Sequence, residues 1–490
     1  MENEFAAMAA IPRNFVERRG RDAIAVRYPG DVLTAEKLEE HSTRRAWALT
    51  DAGINAGDWV TLALPNGTVF FEFLFALWKI GAVPHIVSSR LPEAELTGLL
   101  ELAKPRKVVT QLELAAGQPE RLGMDFGRAH PRSDELPAID STPWKAMSSG
   151  GSTGRPKIIV QHSPSRGAAS LLRLPSEGAI LTTGPLYHNM PLNSSIWALS
   201  RGLEVVAMAR FDALECLRLI DSYRIRWACL VPTMMRRISQ LPADVISQHD
   251  LSCLEILCHT AAPISPTLKR QWLDWLGPEK ILELYGGTEG VGLTLIKGTD
   301  WLRHPGSVGR PVRDEIKIVD DRGITLPPGE IGEIFSRRPD RSGAGFSYIG
   351  SPMRIDDEGF ISLGDYGSLD GDGYLYIADR RTDMIISGGA NIFPAEVENA
   401  LLGHPDIEDA VVIGLPDDDL GELAHAIVKP RADARPLTRE QLADFLASRL
   451  VRYKVPRSFE WVTENLRDDA GKVRRSGLRA QRLQATRDED

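Results

Sequence analysis

Cysteine is scarce in this chain. Its 490 residues hold four, Cys216, Cys229, Cys253 and Cys258, with no CxxC pair and no histidine cluster beside them. That spacing argues against a disulfide framework or a zinc site and makes a reducing cytoplasm the natural home. Long apolar runs are also missing. The most apolar stretch, Val69 to Val83, carries Glu72 and Lys79, so it suits a buried helix feeding a strand better than a membrane span. The first ten residues, MENEFAAMAA, are acidic and lack the apolar core of a secretory signal. Positive charge is in deficit as well. A formal net charge of −9 speaks against nucleic acid as the main partner, because counterion release needs a basic surface. One local exception runs from Arg467 to Arg482, where Arg467, Lys472, Arg474, Arg475, Arg479 and Arg482 outnumber Asp468 and Asp469. It suits either a phosphate-facing segment or a solvated C-terminal helix.

What is present is an ordinary globular composition, 43% hydrophobic and 26% charged, in a chain too long for one compact core. Apolar β-rich runs alternate with amphipathic stretches: AIAV near Ala23, a helical pattern from Thr34, WVTLAL from Trp59, a helix from Thr68 and VVT at Val108. The alternation resumes with AILTTG, a helix over Ser194 to Arg201, EVVAM, a helix from Asp212 and WACLVP. Such alternation predicts βαβ units. From about residue 300, GSVGRPV, EIKIVD and GEIFSR predict short strands of a β-rich subdomain. A last unit holds DIEDAVVIGLP, AHAIVKP, a helix over Thr438 to Leu450 and FEWV. The expected fold is therefore α/β: a large N-terminal domain of βαβ subdomains plus a β-rich subdomain, residues 1–381, followed by a small α+β domain, residues 382–490.

The stretch richest in chemistry is MSSGGSTGRPKIIV, Met147 to Val160. From Ser148 to Gly154 it offers Ser148, Ser149, Gly150, Gly151, Ser152, Thr153 and Gly154, a backbone free to turn N–H groups inward, with Lys157 adding charge. That composition suits a phosphate cradle and equally a flexible connector. It is not the P-loop NTPase motif, since Arg155 and Pro156 stand between Gly154 and Lys157. Six further stretches follow in order: PLYHN at Pro185, TAAP at Thr260, LYGGTEG at Leu284, SLGDYG at Ser362, DRRTDMIISGGANIFPAEVE at Asp379 and AGKVRRS at Ala470. Taken singly, Asp365 suits a turn, Tyr285 a core, Glu289 a helix start and His188 a helix cap.

Taken together and in this order, these motifs resemble the adenylate-forming superfamily of acyl-CoA synthetases, peptide-synthetase adenylation domains and beetle luciferases. The resemblance covers essentially the whole chain. It implies that Ser148 to Lys157 hold the outer phosphates of ATP while pyrophosphate leaves. Ala261, Ala262 and Pro263 would form one wall of the adenine pocket, with Tyr285, ahead of Gly286 and Gly287, stacking on the other face. Thr288 would contact the α-phosphate, and Glu289 would help hold Mg2+, a hard cation suited to oxygen ligands. Asp365 would take both ribose hydroxyls, reinforced by Arg380. Lys472 would bridge the substrate carboxylate and the α-phosphate.

The second step implied by the resemblance is transfer of the acyl group from AMP to coenzyme A, reached by rotation of a mobile C-terminal domain. The hinge falls at Thr382, where most relatives carry Asp or Lys; Gly388 and Gly389 would line the pantetheine tunnel, with His188 at its inner mouth. PLYHNMPLNSS, Pro185 to Ser195, has no acidic residue to hold a substrate amine, while Met190, Leu192, Ile196, Trp197, Val291 and Leu293 suit an apolar acyl body. TGPLYHN, FSYIG and SLGDYGSLDGDGYLYI look closest to the branch that activates bile acids, steroid side chains and terpenoid acids. The expected partners are thus a small-molecule carboxylic acid and coenzyme A, with ATP and Mg2+ as cofactors; the resemblance also allows a homodimer. Left open beside a complete ligase are an acyl-AMP ligase loading a carrier protein, an enzyme using only preformed adenylate, and a non-catalytic binder.

Overall fold

The computed structural model describes residues 8–114, 116–136, 143–149, 157–162, 168–339, 345–380, 382–388, 390–432, 434–435, 437–468 and 471–488. Two large sheets dominate. The first, of nine strands among the described residues, has six adjacent parallel strands: Ile281–Tyr285, Ile256–Thr260, Trp227–Leu230, Ala179–Thr182, Glu204–Ala207 and Ile24–Tyr28. Helices cover such strands on both faces, so they are mostly apolar; Ala179–Thr182 and Ile256–Thr260 are buried at every position. The second, of seven strands, runs parallel through Lys145–Ser149, Val83–Ile86, Trp59–Ala63, Lys107–Thr110 and Glu120–Leu122. Its other edge is antiparallel, Lys157–Gln161 followed by Phe346–Ile349.

The apolar stretch at Val69 is the buried helix Thr68–Lys79, leading to the strand Val83–Ile86. Its two charges are matched by the neighbouring helix Ala35–Asp51. Glu72 accepts from Arg45 Nε at 2.8 Å and lies 2.8 Å from His41 Nδ1, and Lys79 meets Glu39 at 2.7 Å. A buried charge of this kind persists only when paired. Among the described residues no helix is long and apolar enough to cross a membrane.

Two expectations need correction. The helix expected from Ser194 begins earlier, at Asn189, and spans Asn189–Ser200. Pro191 does not prevent this, because the first turn has no intrahelical acceptor for its N–H groups. GSVGRPV contributes only the pair Arg310–Pro311 as a strand, and this joins the edge of the nine-stranded sheet, while Gly309 forms a single bridge to Leu375 of the β-rich part. Gly309, at φ 101°, lies so close to the neighbouring strand that a Cβ would sit 2.0 Å from the Leu295 carbonyl oxygen, which bends the chain there.

The β-rich part is antiparallel: Glu315–Val319, Gly332–Arg337, Arg354–Ile355, Ile361–Leu369 and Leu375–Arg380. After it comes a smaller α+β unit with its own core, built on Ile385–Ser387, Ala390–Ile392, Ile407–Asp417, Gly421–Pro430 and Ser458–Trp461. Its helix Arg439–Ala447 opens on a capping box, Thr438 with Gln441. The last helix, Arg475–Asp488, packs on Ile407–Asp417. The chain is thus a mixed α/β fold with a large N-terminal and a smaller C-terminal domain.

Candidate active site

Parallel strands present the carboxyl ends of their backbones at one edge, where ligands bind in open α/β sheets. Both large sheets turn that edge toward one continuous cavity of about 2570 Å³. Into it open the residues after Ala179–Thr182, Ile256–Thr260 and Ile281–Tyr285, together with the end of Lys145–Ser149 and the loop before the last helix.

Hairpin register assembles one corner. Strands Ile361–Leu369 and Leu375–Arg380 pair so that Asp365 stands opposite Arg380. Arg380 Nε donates to Asp365 Oδ1 at 3.2 Å, and the Tyr285 hydroxyl, at the end of its strand, donates to Asp365 Oδ2 at 2.5 Å. Asp365 is 8% exposed. Each carboxylate oxygen has two lone pairs, so both keep room for one more donor. Burial first, then Asp365, pushes the Tyr285 pKa well up, which keeps its hydroxyl a donor. Facing this corner, Ala261, Ala262 and Pro263 line the cavity, and Ala261 holds φ 77°, a left-handed conformation that strains a residue with a Cβ.

A second corner is electrostatic. Glu289 Oε1 accepts from the Tyr348 hydroxyl at 2.6 Å and from Lys157 Nζ at 3.3 Å, and Lys157 Nζ stands 4.1 Å from the centre of the Tyr348 ring. Tyr348 arrives through the pairing of Phe346–Ile349 with Lys157–Gln161. From the latter strand Gln161 donates to the Thr288 carbonyl, fixing the Gly286–Glu289 loop on the cavity wall. Ser148 is held from behind: its hydroxyl lies 2.9 Å from His85 Nε2, and His85 Nδ1 lies 2.9 Å from Thr61 Oγ1. Burial pushes His85 down to about 3, so the ring is neutral. Ser149 ends its strand. Gly150, Gly151, Ser152, Thr153 and Gly154 lie outside the described residues.

Lys472 enters from the C-terminal domain. The Asp468 N–H donates to the Lys472 carbonyl, the Lys472 N–H to Asp468 Oδ1, and Gly471 donates to the Asp468 carbonyl, each at 2.9 Å. Gly471, at φ 74°, seats this turn on the N-terminal domain, since a Cβ would lie 2.8 Å from Thr233 Oγ1. Among the described residues none accepts a hydrogen bond from Lys472 Nζ, and the side chain lines the cavity. Crowding by protein, then Arg380, lowers its pKa, while Asp468 and Glu289 act in the opposite sense. His188 stands at the N-cap of Asn189–Ser200, yet its side chain makes no cap hydrogen bond, and its buried Nε2 has no partner among the described residues. Burial, then Lys472, pushes it down to about 3.

The rest of the basic run is engaged in ion pairs. Arg475 pairs with Asp383 and Glu398, Arg479 with Glu422, Arg482 with Glu460 and Arg467 with Asp409, all within the C-terminal domain. Arg474 instead reaches Glu95 of the N-terminal domain at 2.9 Å. Thr382 is exposed and lines the cavity. Gly388 is exposed at φ 58°, and Gly389 lies outside the described residues. Of the residues expected for an acyl body, Met190, Trp197 and Leu293 line the cavity, whereas Leu192, Ile196 and Val291 are core.

Residues 13–342 match the family described as AMP-binding enzyme, and residues 396–472 match its C-terminal domain. The chain belongs to this family. Among curated relatives of this AMP-binding enzyme, a feruloyl-CoA synthase of Amycolatopsis sp is 32% identical over 94% of this chain and 96% of its own. A fatty acid–[acyl-carrier-protein] ligase of Streptomyces coeruleorubidus is 32% identical over 93% of this chain and 92% of its own. Among solved structures, o-succinylbenzoate CoA synthetase from Bacillus subtilis with its acyl-adenylate superposes with a TM-score of 0.82 at 25% identity, covering 96% of this chain and 97% of that one. The AMP-binding enzyme is an acid–thiol ligase of the AMP-forming class. Its residues also fit a magnesium ion carried by nucleotide, because Glu289 Oε2 accepts no hydrogen bond from the described residues and such a site needs one or two carboxylates. His85, Tyr348 and Gln161 were not singled out from the sequence, since each acts through a contact distant in sequence, Tyr348 doing so from within FSYIG.

Proposed function

We propose that this AMP-binding enzyme joins a hydrophobic carboxylic acid, of a size up to a steroid or terpenoid acid, to coenzyme A in two steps. In the first, an acid oxygen bonds to the α-phosphorus of ATP and the bond to pyrophosphate breaks. In the second, the thiol sulfur attacks the acyl carbon and AMP leaves. The observation that carries this reading is the meeting of Lys472 with the Asp365–Arg380–Tyr285 and Glu289–Lys157 groups in one cavity.

Asp365 and Arg380 would hold the ribose, Tyr285, Gly286 and Gly287 with Ala261 to Pro263 the adenine, and Ser148 to Lys157 with Thr288 the phosphates. Glu289 would hold Mg2+, which supplies charge neutralisation when bound. Lys472 would balance the charge gathering between carboxylate and α-phosphate. For the second step we place a hinge at Thr382, with a boundary between residues 1–381 and 382–490, and a pantetheine path past Gly388, Gly389 and His188. The setting we propose is cytoplasmic.

The width of the cavity and its aromatic wall, Trp144 and Trp197, support a bulky apolar acid. A carrier protein as acceptor is the second reading, favoured by the carrier-loading relative. Incubating acid and ATP with coenzyme A or with a loaded-ready carrier decides between them. Pyrophosphate release with acyl-CoA formed only on adding coenzyme A is expected; acyl transfer to carrier alone would contradict the primary reading.

A further inference from the structure

The helix Asn189–Ser200 forms one wall of the cavity, and behind it lies an unusual buried charge. Lys145 is fully buried, and no described carboxylate pairs with it. Its Nζ donates to Asn189 Oδ1 at 2.6 Å and Asn193 Oδ1 at 2.7 Å, and stands 4.5 Å from the centre of the Trp144 ring. An ammonium can only donate, so both amides must turn oxygen toward it and their NH2 groups away. Burial lowers the Lys145 pKa, but a neutral amine still has two N–H donors, enough for the same two oxygens.

The consequence appears on the cavity side, which Asn189, Asn193 and Trp144 all line. Asn193 Nδ2 donates onward to Asn189 Oδ1 at 3.2 Å, whereas Asn189 Nδ2 donates to no described residue. The Trp144 indole N–H is buried without a partner among the described residues, on a ring only 2% exposed between Trp78 and Trp197, centroids 5.8 and 6.5 Å away. Of these donors Asn189 Nδ2 is the one a cavity ligand can reach, in a wall that also carries Tyr187, His188, Met190 and Trp197. A purely hydrocarbon acid packed against the amide would displace water from it and leave Asn189 Nδ2 unpaired, which costs free energy. A buried lysine is also a poor choice for stability alone, where an apolar residue of similar volume would serve as well or better.

We propose that this wall selects an acid whose body carries a hydrogen-bond-accepting oxygen, a hydroxyl, keto or methoxy group remote from the reacting carboxylate, received by Asn189 Nδ2. Lys145 is then a positioning residue that aims the amide. The proposal rests on the acid-binding reading above and names its substrate class.

The test is calorimetric titration of the full-length protein, with AMP present, by acids in matched pairs: cinnamate against 4-hydroxycinnamate, and a cholanoate against its 3-keto counterpart. The oxygenated member of at least one pair should bind about tenfold tighter or more, the discrimination that one well-placed hydrogen bond in a dry site supplies. In Asn189→Leu, and in Lys145→Met, that ratio should fall toward one while AMP affinity reports a folded protein. Equal binding within every pair, binding by none of the acids, or a ratio that survives Asn189→Leu would overturn the proposal. Pyrophosphate release, measured separately, keeps the two readings apart. Equal kcat/KM within pairs retains the ligase and removes this selectivity, whereas selective binding with no pyrophosphate removes the ligase and retains the selectivity.

Discussion

Tyr285 and Asp365, 80 residues apart in sequence, share a hydrogen bond of 2.5 Å across the cavity mouth, and Arg380 grips the other carboxylate oxygen. The carboxylate is thereby aimed before any nucleotide arrives. Asp365→Ala removes an acceptor proposed for two ribose hydroxyls and is expected to weaken ATP binding by about 1.5–3 kcal/mol, one to two decades. Tyr285→Phe loses only the aiming bond and should cost about 0.5–1.5 kcal/mol. Calorimetric ATP titration of both variants checks the order. Wild-type affinity in Asp365→Ala removes that residue from the nucleotide site.

His85 links Thr61 to Ser148 through one neutral ring. Replacing it by leucine leaves the Ser148 hydroxyl without its partner, so the ATP KM should rise several-fold while the KM for the acid stays put. Because burial holds the ring neutral down to about pH 3, its removal should introduce or delete no inflection near pH 6.5. An unchanged ATP KM would reduce the ring to a packing element.

Asp379 gives a pH dependence with a definite sign. Burial pushes its carboxyl from the ordinary 3.8 up to about 6, against the opposing pull of Arg475 and of the Ala395 and Arg380 N–H groups. The native state therefore holds a proton that the unfolded chain releases. Its contribution to stability is complete below pH 3.8 and is lost as the pH rises through about 6. In Asp379→Asn this loss disappears, and the plot of Tm against pH should be flatter than wild type on the rise from pH 4 to 7. Parallel curves would show that the carboxyl titrates normally.

The motifs that carry the family resemblance named residues that the fold brings together: Asp365, Lys157 and Lys472 stand far apart in sequence and line one cavity. What stayed hidden depends on register. Tyr348 reaches Glu289 only because Phe346–Ile349 pairs with Lys157–Gln161, and no local pattern announces that pairing. The sequence left the basic run open between two readings for a similar reason: its partners Glu398, Asp409, Glu422 and Glu460 are distant in sequence, while Lys472 lines the cavity and Arg474 reaches Glu95. One helix boundary slipped: the helix expected over Ser194 to Arg201 spans Asn189–Ser200, with Pro191 in its first turn.

The central claim is that Lys472 serves acyl-adenylate formation and not the thioester step. Its turn is seated by Gly471 on the N-terminal domain, beside the Arg474–Glu95 ion pair, and its side chain lines the cavity that Asp365, Arg380 and Glu289 also line. The decisive measurement runs both half-reactions on Lys472→Ala: pyrophosphate release from acid and ATP, and acyl-CoA formation from synthetic acyl-AMP and coenzyme A. Loss of one such electrostatic stabiliser should slow the first by about 10²–10³ and leave the second close to wild type. Equal loss in both, or undiminished pyrophosphate release, would contradict the account.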